Sequence, residues 1–223
     1  MAKHFTNSRL LICEGNEECA LVNELVKQGL IGTPDVIAID AMSTGGGVTG
    51  IRRLLEVIQV DGTFSIVDSI GIVVDSDASQ IDMFSYISGE ILAANLNPDV
   101  KRKYAVPKAA YAKEPGAIAL TVIFLPGLGQ AGCLETLYWT ILSRLHPVAA
   151  ACVDALLACA GIDTGPNKWS QQKLDKARVR AIVSILNKSN PALAAARFWR
   201  EKWSPFAVSE PELIPLIGQL NVV

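Results

Sequence analysis

Arg9-Leu-Leu-Ile-Cys-Glu-Gly15 and Ile70-Gly-Ile-Val-Val-Asp-Ser-Asp77 share one pattern, a short apolar run that stops at a carboxylate. Neither run alternates apolar with polar residues, as a half-exposed strand would, so both read as strands covered on both faces. Asn16 caps a predicted helix to about Gly29, with Leu21, Val22, Leu25 and Val26 at helical spacing. Pro34 introduces a second strand, Val36–Ile39, closed by Asp40, and a Ser/Gly loop at 43–47 leads into a helix near 48–60. A helix from about Gln80 to Asn95 follows the third strand, and Ala117–Leu125 forms the fourth, ended by Pro126. From Cys133 onward the pattern is helical, with breaks at His146-Pro147, 161–167, Asn190-Pro191 and Ser204-Pro205. Strand–helix alternation with buried strands predicts an α/β fold, a parallel four-stranded sheet flanked by helices with a C-terminal helical extension. The expected division is an α/β domain over 1–145 and a helical extension over 146–223 packed on it.

Half of the 223 residues are hydrophobic and 19% are charged, enough apolar side chain for a large core and too much for a disordered chain. The net charge of −2 hides an asymmetry. Between Lys168 and Trp203 nine Lys or Arg stand against two acids, which suggests an electropositive C-terminal face beside an acidic body. Five cysteines, an odd number without a CxxC pair, read as small core residues in a reducing compartment. No basic-then-apolar leader and no run of about 18 apolar residues occurs, so a soluble cytoplasmic protein with no membrane partner is expected.

Three strands end in acids: Glu14, Asp40, and Asp75 with Asp77. In a parallel sheet all strand C-termini share one edge, where ligands bind, so residues about 60 positions apart can meet. Clustered carboxylates repel one another unless a cation neutralises them. An oxygen-only set favours Mg2+ or Mn2+ over zinc. Each acid taken singly reads better as a strand-end cap or loop residue, and it is their combination at matched strand ends that points to a metal site.

The order of Leu11-Ile-Cys-Glu14-Gly15, a helix, and later Val73-Val-Asp75-Ser-Asp77 resembles the Toprim domain of topoisomerases, primases, recombination mediators and OLD-type nucleases. Pro126, then Gly132-Cys-Leu-Glu135 opening a helix, then Lys176-Ala177, resemble a small uncharacterised Toprim-related family close to the OLD-like (overcoming lysogenization defect) nucleases. The resemblance implies a Toprim/Rossmann-like sheet and magnesium-dependent phosphodiester hydrolysis on DNA or RNA. It makes Glu14 a general acid/base or metal ligand, gives Asp75 and Asp77 the magnesium, and offers Glu135, then Asp40, as further ligands. Lys176 would neutralise phosphate charge. An ATPase partner and a role in phage defence are implied by the same likeness, and a homo-oligomer is left open. Gly127 stands where the family pattern has an acid after the proline, which leaves one-metal and two-metal centres both open.

Gly45-Gly-Gly47-Val-Thr-Gly50 fits GxGxxG but follows the second strand, so it reads as a loop beside the acids rather than a dinucleotide site. Asp75-Ser-Asp77-Ala-Ser79 also resembles the first motif of haloacid-dehalogenase-type phosphatases, though those carry it on the first strand. His4 and His146 stand alone, with no triad partner. Trp169, Phe198, Trp199 and Trp203, interleaved with Lys and Arg, suit either single-stranded nucleic acid or the anchoring of a helix to its own core. Lys101-Arg-Lys-Tyr104 is a second polyanion candidate. Three functions follow in order: a magnesium-dependent nuclease, a non-catalytic metal- or nucleic-acid-binding subunit, and a small-molecule phosphatase with Asp75 as nucleophile.

Overall fold

A computed structural model describes residues 4–39, 47–162, 168–193, 197–199 and 203–223. The strands β1 (Arg9–Cys13), β2 (Asp35–Ala38), β3 (Ser69–Asp75) and β4 (Ala119–Leu125) pair in parallel in the order β2-β1-β3-β4. The α/β sheet expected from the sequence is therefore present, with strand ends within a residue or two of the expected ones.

Side chains alternate faces along a strand, and the core divides accordingly. Leu10, Ile12, Ile70, Ile72 and Val74 pack with helices α2 (Ile51–Ile58) and α3 (Gln80–Leu96). Leu11, Cys13, Val73 and Ile123 face the other way, into a core shared with helix α1 (Asn16–Lys27) and the C-terminal helices. These are α4 (Leu134–Leu145), α5 (Pro147–Cys159), α6 (Gln171–Leu186) and α7 (Ile214–Val222). Local signals set their ends. Pro147 starts α5, where its missing amide costs nothing, and the Ser79 and Ser170 hydroxyls accept amides in the first turns of α3 and α6.

Several candidate binding features turn out to hold the fold. Arg102 reaches Asp68 and the carbonyls of Ser65 and Ala117, Lys103 bonds the carbonyl of Asn95, and the buried Tyr104 donates to the carbonyl of Leu55. The stretch 101–104 thus ties its loop to the neighbouring helices and strand entries, while Lys101 and Lys103 stay exposed. Phe198 is buried against Tyr138 and Trp203, and Trp199 packs edge-on to Phe206, so these aromatics anchor the C-terminal segment. Cys13, Cys19 and Cys133 are core residues as expected, whereas Cys152 and Cys159 lie exposed on α5.

The helices that carry Glu135 and Lys176 are locked together by Asp175, which is only 1% exposed. Its Oδ2 accepts the Thr136 hydroxyl at 2.7 Å, and its Oδ1 accepts Gln171 Nε2 at 2.8 Å and the Arg178 guanidinium at 3.1 Å. Arg178 also pairs with Asp154 at 2.8 Å and lies over the Trp139 ring. Removing one member of such a network strands the others. Asp175→Ala should therefore cost on the order of 3 kcal/mol in urea denaturation. A loss below about 0.5 kcal/mol, the range of ordinary surface changes, would show that the lock is dispensable.

Candidate functional site

The sheet order places its switch point between β1 and β3, since β2 lies on one side of β1 and β3 on the other. Cys13 pairs with Val73, so both strands run out at the same edge. The Glu14 amide bonds the Val73 carbonyl at 2.9 Å, and its Oε2 turns to accept the amide of Asp75 at 3.1 Å. Asp75 Oδ1 in turn accepts the amide of Leu134, the first residue of α4, at 3.0 Å. First-turn amides lack intrahelical acceptors and carry positive partial charge, so they suit a carboxylate.

Glu135, the next residue on α4, is buried, and Lys176 reaches the same space from α6. Together with Glu17 and Glu18 of α1 these side chains line a cleft of about 490 Å3. Gly47 closes one side with φ 57°, and a Cβ there would lie 3.6 Å from Glu14 Oε1. That left-handed backbone beside the acid favours glycine over any larger residue.

Burial without neutralisation sets the proton affinities. Desolvation, with Glu18, Glu14 and Glu135 nearby, pushes Asp75 up to about 9 against the opposing Leu134 amide. Glu14 rises to about 7, again mainly through burial, with Glu18 and Asp77 adding to it while the Asp75 amide and Lys176 oppose. Glu17 also rises to about 7, through burial and through Glu135, with which it is hydrogen-bonded. Glu18 is raised by burial although its carboxylate accepts the Gly15 amide at 2.9 Å. Lys176 loses to burial but gains more from Glu135 and the acids around it, so its charge is held more firmly. Burial, Glu135 and Asp75 push the Cys133 thiol up to about 12, leaving it a neutral thiol beside the cleft.

The structure thus brings Glu14, Asp75, Glu135 and Lys176 together. Asp77 stands apart. Its backbone has φ 51°, its side chain is exposed beside Val48 and Ser79, and it accepts a hydrogen bond from Gln172. Its charge still reaches Glu14. Asp40, Gly45 and Gly46 lie outside the described residues. Sequence reasoning missed Glu17 and Glu18, although Gly15 before a helix start already placed both in the first turn at the strand edge. Among the described residues, no three Asp, Glu, His or Cys side chains are grouped tightly enough to be a ready-made ligand set.

A family model described as "Protein of unknown function (DUF3226)" matches residues 8–209. The chain belongs to this family. No curated protein and no solved structure matches the chain. The DUF3226 span begins just before β1, ends before α7, and contains all of Glu14, Asp75, Glu135 and Lys176.

The raised acids make stability depend on pH with a defined sign. The folded state holds protons that the unfolded chain releases above about pH 4, so their contribution is full in acid and is lost as pH rises through about 7 and then 9. The thermal midpoint in EDTA should fall between pH 5 and pH 9, and Asp75→Asn should flatten that fall. An equal fall in the variant would mean that Asp75 does not titrate as its surroundings dictate.

Proposed function

We propose that the chain is a magnesium-dependent nuclease of the Toprim type, or a related phosphoryl-transfer enzyme acting on nucleic acid. The observation that carries the reading is the Glu14 carboxylate on the Asp75 amide. It sets the acids of β1 and β3 side by side at the switch point of a parallel sheet, with Glu135 and Lys176 closing over them.

The donor set fits a hard divalent cation. It is oxygen-only, the adjacent Cys133 is a neutral thiol, and a 2+ ion would displace the protons that burial forces onto these carboxylates. Glu14, Asp75 and Glu135 would hold Mg2+ or Mn2+, with Glu17 against Glu135. Bound there, the ion supplies charge neutralisation and polarisation of a phosphate oxygen. Lys176 is the cation among these acids that can meet phosphate charge directly. Glu14, aimed at the Asp75 amide at the mouth of the cleft, would either complete the metal's ligand set or accept a proton from an attacking water. Asp77 takes a peripheral part, consistent with its exposure and its bond to Gln172. Among the described residues no helix is long and apolar enough to cross a membrane.

A second reading, a metal- or nucleic-acid-binding subunit without catalysis, is favoured by Gly127, which puts no acid after Pro126. The readings separate in one assay on plasmid, linear and single-stranded DNA and on RNA with Mg2+ or Mn2+, with and without an ATPase partner. Glu14→Gln should lower cleavage by about 10²–10⁴-fold while the fold and nucleic-acid binding persist. Asp75→Asn should lower cleavage and metal affinity together, and Asp77→Asn should do so less. Cleavage by Glu14→Gln at the native rate sinks the mechanism, and metal binding with no cleavage of any substrate leaves the subunit reading.

A further inference from the structure

Beside the acid cleft, and sharing Lys176 with it, lies a groove of about 500 Å3 lined by Trp169, Lys173, Lys176, Ala177 and Arg180. Lys173, Lys176, Ala177 and Arg180 recur at three- and four-residue spacing, so they form one face of α6. Trp169 stands just before the Ser170 cap, at the open end of that face. Ala177 carries only a methyl group, which leaves room between the cations.

Two features mark this face. Trp139, Trp199 and Trp203 all pack against the core, whereas Trp169 stays out of it and is 39% exposed. Arg102, Arg144 and Arg178 are each paired with acids. Among the described residues, Lys173, Lys176 and Arg180 form no ion pair, and Lys173 and Arg180 are exposed. On α6 the charges are therefore sorted. Arg178, inward, holds the helices together, and the outward cations lie beside an indole that is outside both apolar cores.

We propose that this groove is a subsite for single-stranded nucleic acid. A base stacks on Trp169, and the backbone runs along Lys173 and Arg180 toward Lys176 and the acids. This rests on the nuclease reading and names its substrate class as a single strand of DNA or RNA. An aromatic face accepts any base, while the cations follow phosphates, so the subsite is sequence-tolerant and salt-sensitive. A duplex hides its base faces and cannot use the indole.

The test is binding of the full chain to fluorescent oligo-dT, oligo-U and a duplex of equal length, in EDTA so that nothing is cut, across a salt series. Single strands should bind more tightly than duplex, with the DNA and RNA arms separating the two strand chemistries. Trp169→Ala should weaken single-strand binding about five- to 150-fold, and Trp169→Phe should restore most of it. Replacing Lys173 and Arg180 by Ala should reduce the slope of log affinity against log salt by about 1.4, near 0.7 for each phosphate that is no longer neutralised. Melting curves verify that the variants are folded. Native affinity in Trp169→Ala, equal loss in Trp169→Phe, duplex binding as tight as single-strand binding, or no oligonucleotide binding at low salt would each overturn the subsite. Cleavage that depends on Asp75 but is indifferent to Trp169 would leave the nuclease reading standing without it. Binding that depends on Trp169 with no cleavage under any metal would leave the subsite standing and remove the nuclease.

Discussion

Parallel pairing of β1 with β3 brings two acids into a place where neither is comfortable. Because Cys13 lies opposite Val73, the chain leaves both strands at one height, and the Glu14 side chain meets the Asp75 amide. That amide and the first amide of α4 are favourable partners, yet they do not offset the loss of water and the mutual repulsion of Glu14, Glu18, Glu135 and Asp75. The cleft answers in three ways. It takes protons, it recruits Lys176, and it leaves an oxygen-lined space that a divalent cation would relieve. Shifts of this kind cluster at functional sites, and structural charge networks produce them too.

The surrounding structure serves that edge. Two apolar layers hold the strands dry and in register, so the strand ends have little freedom to separate. Asp175 fastens α6 to α4 through the Thr136 hydroxyl, while Gln171 and Arg178 of α6 itself hold its carboxylate in place, which fixes Glu135 and Lys176 relative to each other. The same lock turns one side of α6 inward and frees the other. The relative placement of Glu135 and Lys176 thus rests in part on a single buried carboxylate.

Much of this was legible in the sequence because the fold is built from its most readable parts. Strands buried on both faces write themselves as unbroken apolar runs, and Glu14 and Asp75 mark where two of them end. The helical tail was visible from spacing and from prolines such as Pro147. What stayed hidden depends on direction, which spacing does not encode. Asp77 follows Asp75 by two residues, but its backbone at φ 51° and its bond to Gln172 leave it exposed while Asp75 is buried. Glu17 and Glu18 looked like ordinary first-turn acids, although that turn faces the cleft. Arg102 and Arg178 looked like surface cations until their carbonyl and carboxylate partners, distant in sequence, were in view. Trp169 and Phe198 were indistinguishable as letters, since only packing separates a buried ring from an exposed one.

The most direct measurement is anomalous diffraction from crystals of the protein soaked in Mn2+ at pH 8, with Asp75→Asn crystals treated alike. The account predicts a manganese peak bounded by Glu14, Asp75 and Glu135 in the native protein, and its loss or marked weakening in the variant. A native cleft without a peak at saturating manganese, or an undiminished peak in Asp75→Asn, would contradict the assignment of these acids as a metal centre.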